Sequence, residues 1–166
     1  WLTLFHFFSG ARVKSVTALC GRVVGNIEAG LEDVATVLLE FTSGVHACLH
    51  MGYLLRGAGP RNDTYFGLRG TLGTATWPSP GEGELRIESV ASAWQVAPVR
   101  TFQMAIAPGP FYANQWGYQF VAEFIRAVLE GGQTLVGVED AYRVLQIIDA
   151  AYESSRTGRR VQLVSE

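Results

Sequence analysis

The hydrophobic pattern of this chain changes from a strand-like period to a helical one after Pro108-Gly109-Pro110. Before that point, short runs rich in β-branched and aromatic residues are separated by turns that contain Gly and Pro. After it, residues 114–130 and 139–156 carry apolar side chains at helical spacing. A run of strands followed by helices predicts an α+β fold, with an open, predominantly antiparallel sheet and helices packed on one face.

The clearest pair of predicted strands covers residues 33–41 and 45–55, because Thr42-Ser43-Gly44 supplies a tight turn between them. An apolar helix that ends at Gly10 precedes the strands. The remaining predicted strands lie at residues 11–24, 64–69, 74–77, 84–90 and 161–164, with one or two edge strands within residues 94–106.

The last predicted helix has clear signals at both ends. Glu139 and Asp140 suit its positive end, Arg156 suits its negative end, and Thr157-Gly158 stops it. One apolar stripe runs along it and predicts the face that meets the core. The stripe consists of Ala141, Leu145, Ile148 and Tyr152.

Composition limits the possible functions. The 166 residues, 48% of them hydrophobic and 17% charged, suffice for a single domain over residues 1–166. A net charge of -2 without a basic patch argues against nucleic acid as a partner. Two cysteines without a disulfide framework favour a reduced, cytoplasmic setting, and no apolar run reaches the ~20 residues of a membrane span. The uncovered sheet face favours a homo-oligomer.

Several weak motifs occur in an order that resembles the C-terminal domain of the Gfo/Idh/MocA oxidoreductases. The resemblance covers nearly the whole chain. It is carried by an aromatic helix at Trp1 to Gly10, an acid-then-hairpin segment from Glu32-Asp33 to Ser43-Gly44, the strand-Gly-x-x-Gly-strand turn Leu68 to Thr74, the helix Phe120 to Gly131, and the closing segment with Glu139-Asp140, Ala150-Ala151, Ser154-Ser155 and Gly158-Arg159-Arg160-Val161.

This resemblance implies a parent enzyme in which an N-terminal Rossmann domain binds NAD or NADP. Hydride transfer to or from a sugar, inositol or related polyol would be its reaction, with a Lys in Glu-Lys-Pro and a His-x-x-Asp motif moving protons. Here the only lysine is Lys14, and no Gly-x-Gly-x-x-Gly is present. We therefore expect the chain to lack the cofactor domain and to be inactive alone.

Aligned on the family helix, this chain places the usual Asp at Thr3, which cannot accept a proton as a carboxylate does. Thr3 and the neighbouring His6 are the weak catalytic candidates. Polar loop residues and one aromatic residue could bind a polyol, although a solvated loop and a core aromatic are the plainer interpretations. These substrate-binding candidates are Arg56, Arg61, Asn62 and Trp116.

His46, Cys48 and His50 alternate along a predicted strand and therefore share one face. The two histidines would lie about 13 Å apart, too far for one metal ion, so no metal site is expected. Cys48 is expected to be a buried structural cysteine.

Two functions remain open at this point. The first is a substrate-shaping and oligomerisation domain of an NAD(P)-dependent oxidoreductase, which pairs with its own Rossmann domain. The alternative is a non-catalytic sheet-and-helix binding or scaffold protein.

Overall fold

A computed structural model of the chain describes residues 2–23, 31–52, 66–77, 83–105, 107–109, 114–134 and 136–163. These residues form two compact units, Trp1–Leu55 with Leu135–Glu166 and Arg56–Thr134. The helices are α1 (Leu2–Ser9), α2 (Asn114–Glu130) and α3 (Val138–Thr157). The strands are β1 (Val13–Gly21), β2 (Val34–Phe41), β3 (His46–Gly52), β4 (Phe66–Gly70), β5 (Gly73–Trp77), β6 (Gly83–Ser89), β7 (Val99–Met104) and β8 (Val161–Gln162).

The first unit is built on a four-stranded antiparallel sheet with the order β3-β2-β1-β8. Val16 pairs with Leu39 and Ala18 pairs with Val37, so these four apolar side chains share one face of the sheet. Helices α1 and α3 pack on that face, and Ile147 of α3 is 2% exposed. Burial of such a side chain stabilises the fold by about 1.5–3 kcal/mol.

Small residues of α3 make its close contact with the sheet. The buried residues of this helix are Ile147, Ala150, Ala151 and Ser154, which follow one another at helical spacing. The predicted stripe was wrong: Leu145 is 58% exposed and Tyr152 is 49% exposed. Ala150 and Ala151 allow the helix backbone to approach the strands closely, which turns the bulkier stripe away from the sheet core.

Both helices of the first unit end as the sequence predicted. The N–H of Gly10 donates to the carbonyl of His6 at 3.0 Å, and Gly158 closes α3 by donating to Ser154 O at 2.8 Å. Both glycines have positive φ values, of 60° and 67°. At the start of α3, the Asp140 carboxylate accepts the N–H of Gly137 at 2.9 Å, which confirms its capping role.

The second unit contains a four-stranded antiparallel sheet with the order β4-β5-β6-β7, together with α2. Leu85 and Ile87 alternate with exposed Glu84, Arg86 and Glu88 along β6, as the sequence predicted. The turn between β4 and β5 is a hairpin in which Gly70 pairs with Gly73.

The α+β prediction, with antiparallel strands and helices on one sheet face, is confirmed. In the part of the chain that is described, the strands form two sheets. No helix there combines the length and apolar character that a bilayer crossing demands.

Candidate functional site

The two weak catalytic candidates lie on α1. Thr3 and His6 are three positions apart, so they occupy the same side of the helix, and both are partly buried. Nδ1 of His6 is 3.0 Å from the carbonyl oxygen of Ala11. Because a carbonyl only accepts, Nδ1 carries the proton and donates it. This bond joins the end of α1 to the start of β1.

The other ring nitrogen of His6 is enclosed. Nε2 is buried and lacks a hydrogen-bond partner among the described residues. The imidazole meets the ring of Phe41 edge-on, with the centroids 6.0 Å apart. Proton exchange at Nε2 therefore requires its surroundings to move, and the geometry is that of a packed histidine more than of an accessible acid or base.

Of the four substrate-binding candidates, Trp116 lies among the described residues. Arg56, Arg61 and Asn62 lie outside the described residues. Trp116 lies in the first turn of α2 and is 42% exposed. The structure thus places Thr3 and His6 together and leaves the substrate-binding residues as a prediction.

One face of the first sheet is not covered by α1 or α3, and we call it the open face. It consists of Ser15, Thr17 and Leu19 on β1, Thr36, Leu38 and Glu40 on β2, and His46, Cys48 and His50 on β3. The register places His46 opposite Glu40, Cys48 opposite Leu38, and His50 opposite Thr36. Leu19 is 73% exposed and Leu38 is 51% exposed.

The predicted common face of His46, Cys48 and His50 is therefore confirmed. The predicted burial of Cys48 was wrong, since its side chain lies on the open face of an outer strand and is exposed. His46 and His50 are four residues apart on an extended strand, which corresponds to about 13 Å along β3. Within the described residues, no group of three His, Cys, Asp or Glu is placed to hold a metal ion.

A charged cluster occupies one end of the open face. Glu40 Oε2 accepts hydrogen bonds from Ser15 Oγ at 2.8 Å and from Arg160 at 3.1 Å, and Lys14 Nζ lies 3.6 Å from Oε1. The Ser15 hydrogen bond, with smaller contributions from the two cations, lowers the pKa of Glu40. This cluster was not predicted from the sequence, although a lone carboxylate near the end of an apolar strand was a usable signal.

Two acids lie at the other end of the β1–β2 pair. Asp33 is 2% exposed, and its Oδ1 accepts the N–H of Val23 at 2.7 Å. The hydroxyl of Tyr152 donates to Glu32, and this bond lowers the pKa of Glu32 and raises that of Tyr152. Glu32 is thereby tied to α3.

The described residues do not fit a nicotinamide dinucleotide. A phosphate cradle of the Rossmann type needs a glycine-rich turn between a strand and the N-terminus of a helix. The Gly70–Gly73 turn instead connects two paired antiparallel strands, β4 and β5. We therefore assign no step of cofactor chemistry to these residues.

Known proteins resemble this chain in sequence and in fold. The family described as "Oxidoreductase family, C-terminal alpha/beta domain" matches residues 2–163. The chain is 27% identical over 154 residues to D-apiose dehydrogenase of Rhizobium rhizogenes strain K84. The aligned region covers 91% of this chain and 43% of that enzyme.

Solved structures share the fold. An oxidoreductase from Agrobacterium radiobacter in complex with NAD+, L-tartaric acid and magnesium superposes with a TM-score of 0.79 at 23% identity, over 97% of this chain and 46% of that one. Aldose-aldose oxidoreductase from Caulobacter crescentus, complexed with glycerol, gives a TM-score of 0.75 at 22% identity, over 98% of this chain and 44% of that one. The chain spans less than half the length of these relatives. It belongs to the Gfo/Idh/MocA oxidoreductase family, as its C-terminal alpha/beta domain.

Proposed function

We propose that this chain is the substrate-shaping and oligomerisation domain of an NAD(P)-dependent oxidoreductase that acts on a sugar, inositol or related polyol. The observation that carries the proposal is the family match over residues 2–163. The named relatives support the substrate class, because one is a D-apiose dehydrogenase and another was crystallised with glycerol.

The cofactor domain is proposed to lie in sequence outside these residues. Its support is that relatives are more than twice as long as the matched region, and that one of them was solved with NAD+. The Gly70–Gly73 turn joins two paired strands and does not lead into a helix, which agrees with a cofactor site outside these residues. We propose a Rossmann domain of the same polypeptide that binds NAD or NADP, and we expect this chain alone to transfer no hydride.

The polyol is proposed to meet Arg56, Arg61, Asn62 and Trp116. Guanidinium and amide groups donate hydrogen bonds to hydroxyl oxygens, and an indole ring packs on the apolar face of a sugar. The exposure of Trp116 leaves its ring open to such a contact. Thr3 and His6 remain the weaker proposals, because the hydroxyl of Thr3 is not a general base and Nε2 of His6 is enclosed.

The open face is proposed to build a homo-oligomer of at least two copies, in a cytoplasmic setting. Two strongly exposed leucines, Leu19 and Leu38, lie on it among short polar side chains. A regular sheet face of this kind packs well against a second sheet about 10 Å away. Two free cysteines agree with a reducing compartment.

The test begins with the coding sequence that precedes Trp1. We expect it to encode a strand, a Gly-x-Gly-x-x-Gly turn and a helix, followed by Glu-Lys-Pro. The complete product is then assayed with NAD+ and NADP+ against a panel of aldoses, inositols and tartrate, and we expect nicotinamide reduction with at least one of them. A start codon directly before Trp1, together with no activity on the panel, would support the scaffold alternative instead.

A further inference from the structure

We draw no further inference here: the strongest candidate, the exposed apolar tip that Leu72, Val90 and Val96 form at the end of the second sheet beside the β4–β5 turn, carries nothing because no feature of the described residues shows what covers it.

Discussion

Ser154 Oγ lies 3.0 Å from the backbone nitrogen of Ala18 and accepts its hydrogen bond, although the residues are 136 positions apart. Ser155 Oγ accepts from the N–H of Cys20 at 2.8 Å in the same way. Among the described residues, strand β8 pairs with β1 at Ser15 and Val16, and the N–H of Leu163 donates to the carbonyl of Lys14 at 2.8 Å. The two serines of α3 therefore continue the hydrogen bonding of the β1 edge past Val16, on the side where β8 begins at Val161.

Replacing Ser154 tests this arrangement. Ser154→Ala leaves the N–H of Ala18 without its acceptor in a buried site, since Ser154 is 1% exposed. We expect the free energy of unfolding to fall by about 1–3 kcal/mol. Urea denaturation measures the change, and the exposed neighbour Glu153→Ala is the control, with an expected change within about 0.5 kcal/mol. Equal stability of the two variants would show that the hydroxyl is not needed.

Gly73 is constrained by the strand that pairs with it. A Cβ atom at Gly73 would lie 2.0 Å from the carbonyl oxygen of Glu88, whereas one at Gly70 would meet nothing nearer than 3.8 Å. We expect Gly73→Ala to cost about 1–3 kcal/mol or more, and Gly70→Ala less than about 1 kcal/mol. Tryptophan fluorescence follows unfolding, because Trp77 and Trp94 lie in the same unit. A Gly73→Ala variant as stable as Gly70→Ala would contradict the close approach.

The Tyr152–Glu32 hydrogen bond makes stability depend on pH at both extremes. The lowered pKa of Glu32 means that its contribution is present above its ordinary value of 4.5 and is lost as the pH falls through the folded-state pKa. The raised pKa of Tyr152 means that its contribution is present below 10.0 and is lost as the pH rises through the folded-state pKa. The bond therefore contributes across the intervening range.

Tyr152→Phe removes this bond. Because Tyr152 is about half exposed and Glu32 is only partly buried, we expect a loss of less than about 1 kcal/mol near neutral pH, which shrinks toward zero in strong acid and strong base. Chemical denaturation as a function of pH measures it. Tyr142→Phe, at an exposed tyrosine of the same helix, is the control and should be nearly neutral. A Tyr152→Phe loss that is constant with pH would argue against the hydrogen bond as its cause.

Leu38 lies in the middle strand of the open face and tests its proposed role in assembly. Leu38→Glu places a charge in the contact, and we expect the dimer dissociation constant to rise at least tenfold, which corresponds to about 1.4 kcal/mol. Val138→Glu changes an 83% exposed apolar residue at the start of α3 and should leave assembly unchanged. Sedimentation velocity measures the dimer dissociation constant of each variant. Equal dissociation constants for the two variants would argue against the open face as the contact between copies.

The sequence was informative where local chemistry determines the structure. Thr42-Ser43-Gly44 predicted the β2–β3 hairpin, and Gly44 indeed has a φ of 81°. The buried side of α3 was not predictable in this way, because a sheet can pack on large side chains or on Ala150 and Ala151, and the spacing alone does not choose between them. Tyr152 and Glu32 are 120 positions apart, so no local pattern reveals their contact.

The prediction that Cys48 is buried was wrong for a related reason. Alternation along β3 showed which residues share a face with Cys48, and the register confirms that grouping. Which of the two faces meets the helices depends on how distant segments pack. The roles of Arg56, Arg61 and Asn62 remain predictions, since these residues lie outside the described part of the chain.

A fluorescence titration of the 166-residue chain with NADH and NADPH tests the central claim most directly. We expect no saturable binding up to about 1 mM, because the only glycine turn that resembles a phosphate cradle in the described residues joins two strands. Saturable binding with a micromolar dissociation constant would show that this chain holds the nucleotide itself, and would contradict the proposal that it is the domain of an NAD(P)-dependent oxidoreductase that does not bind the cofactor.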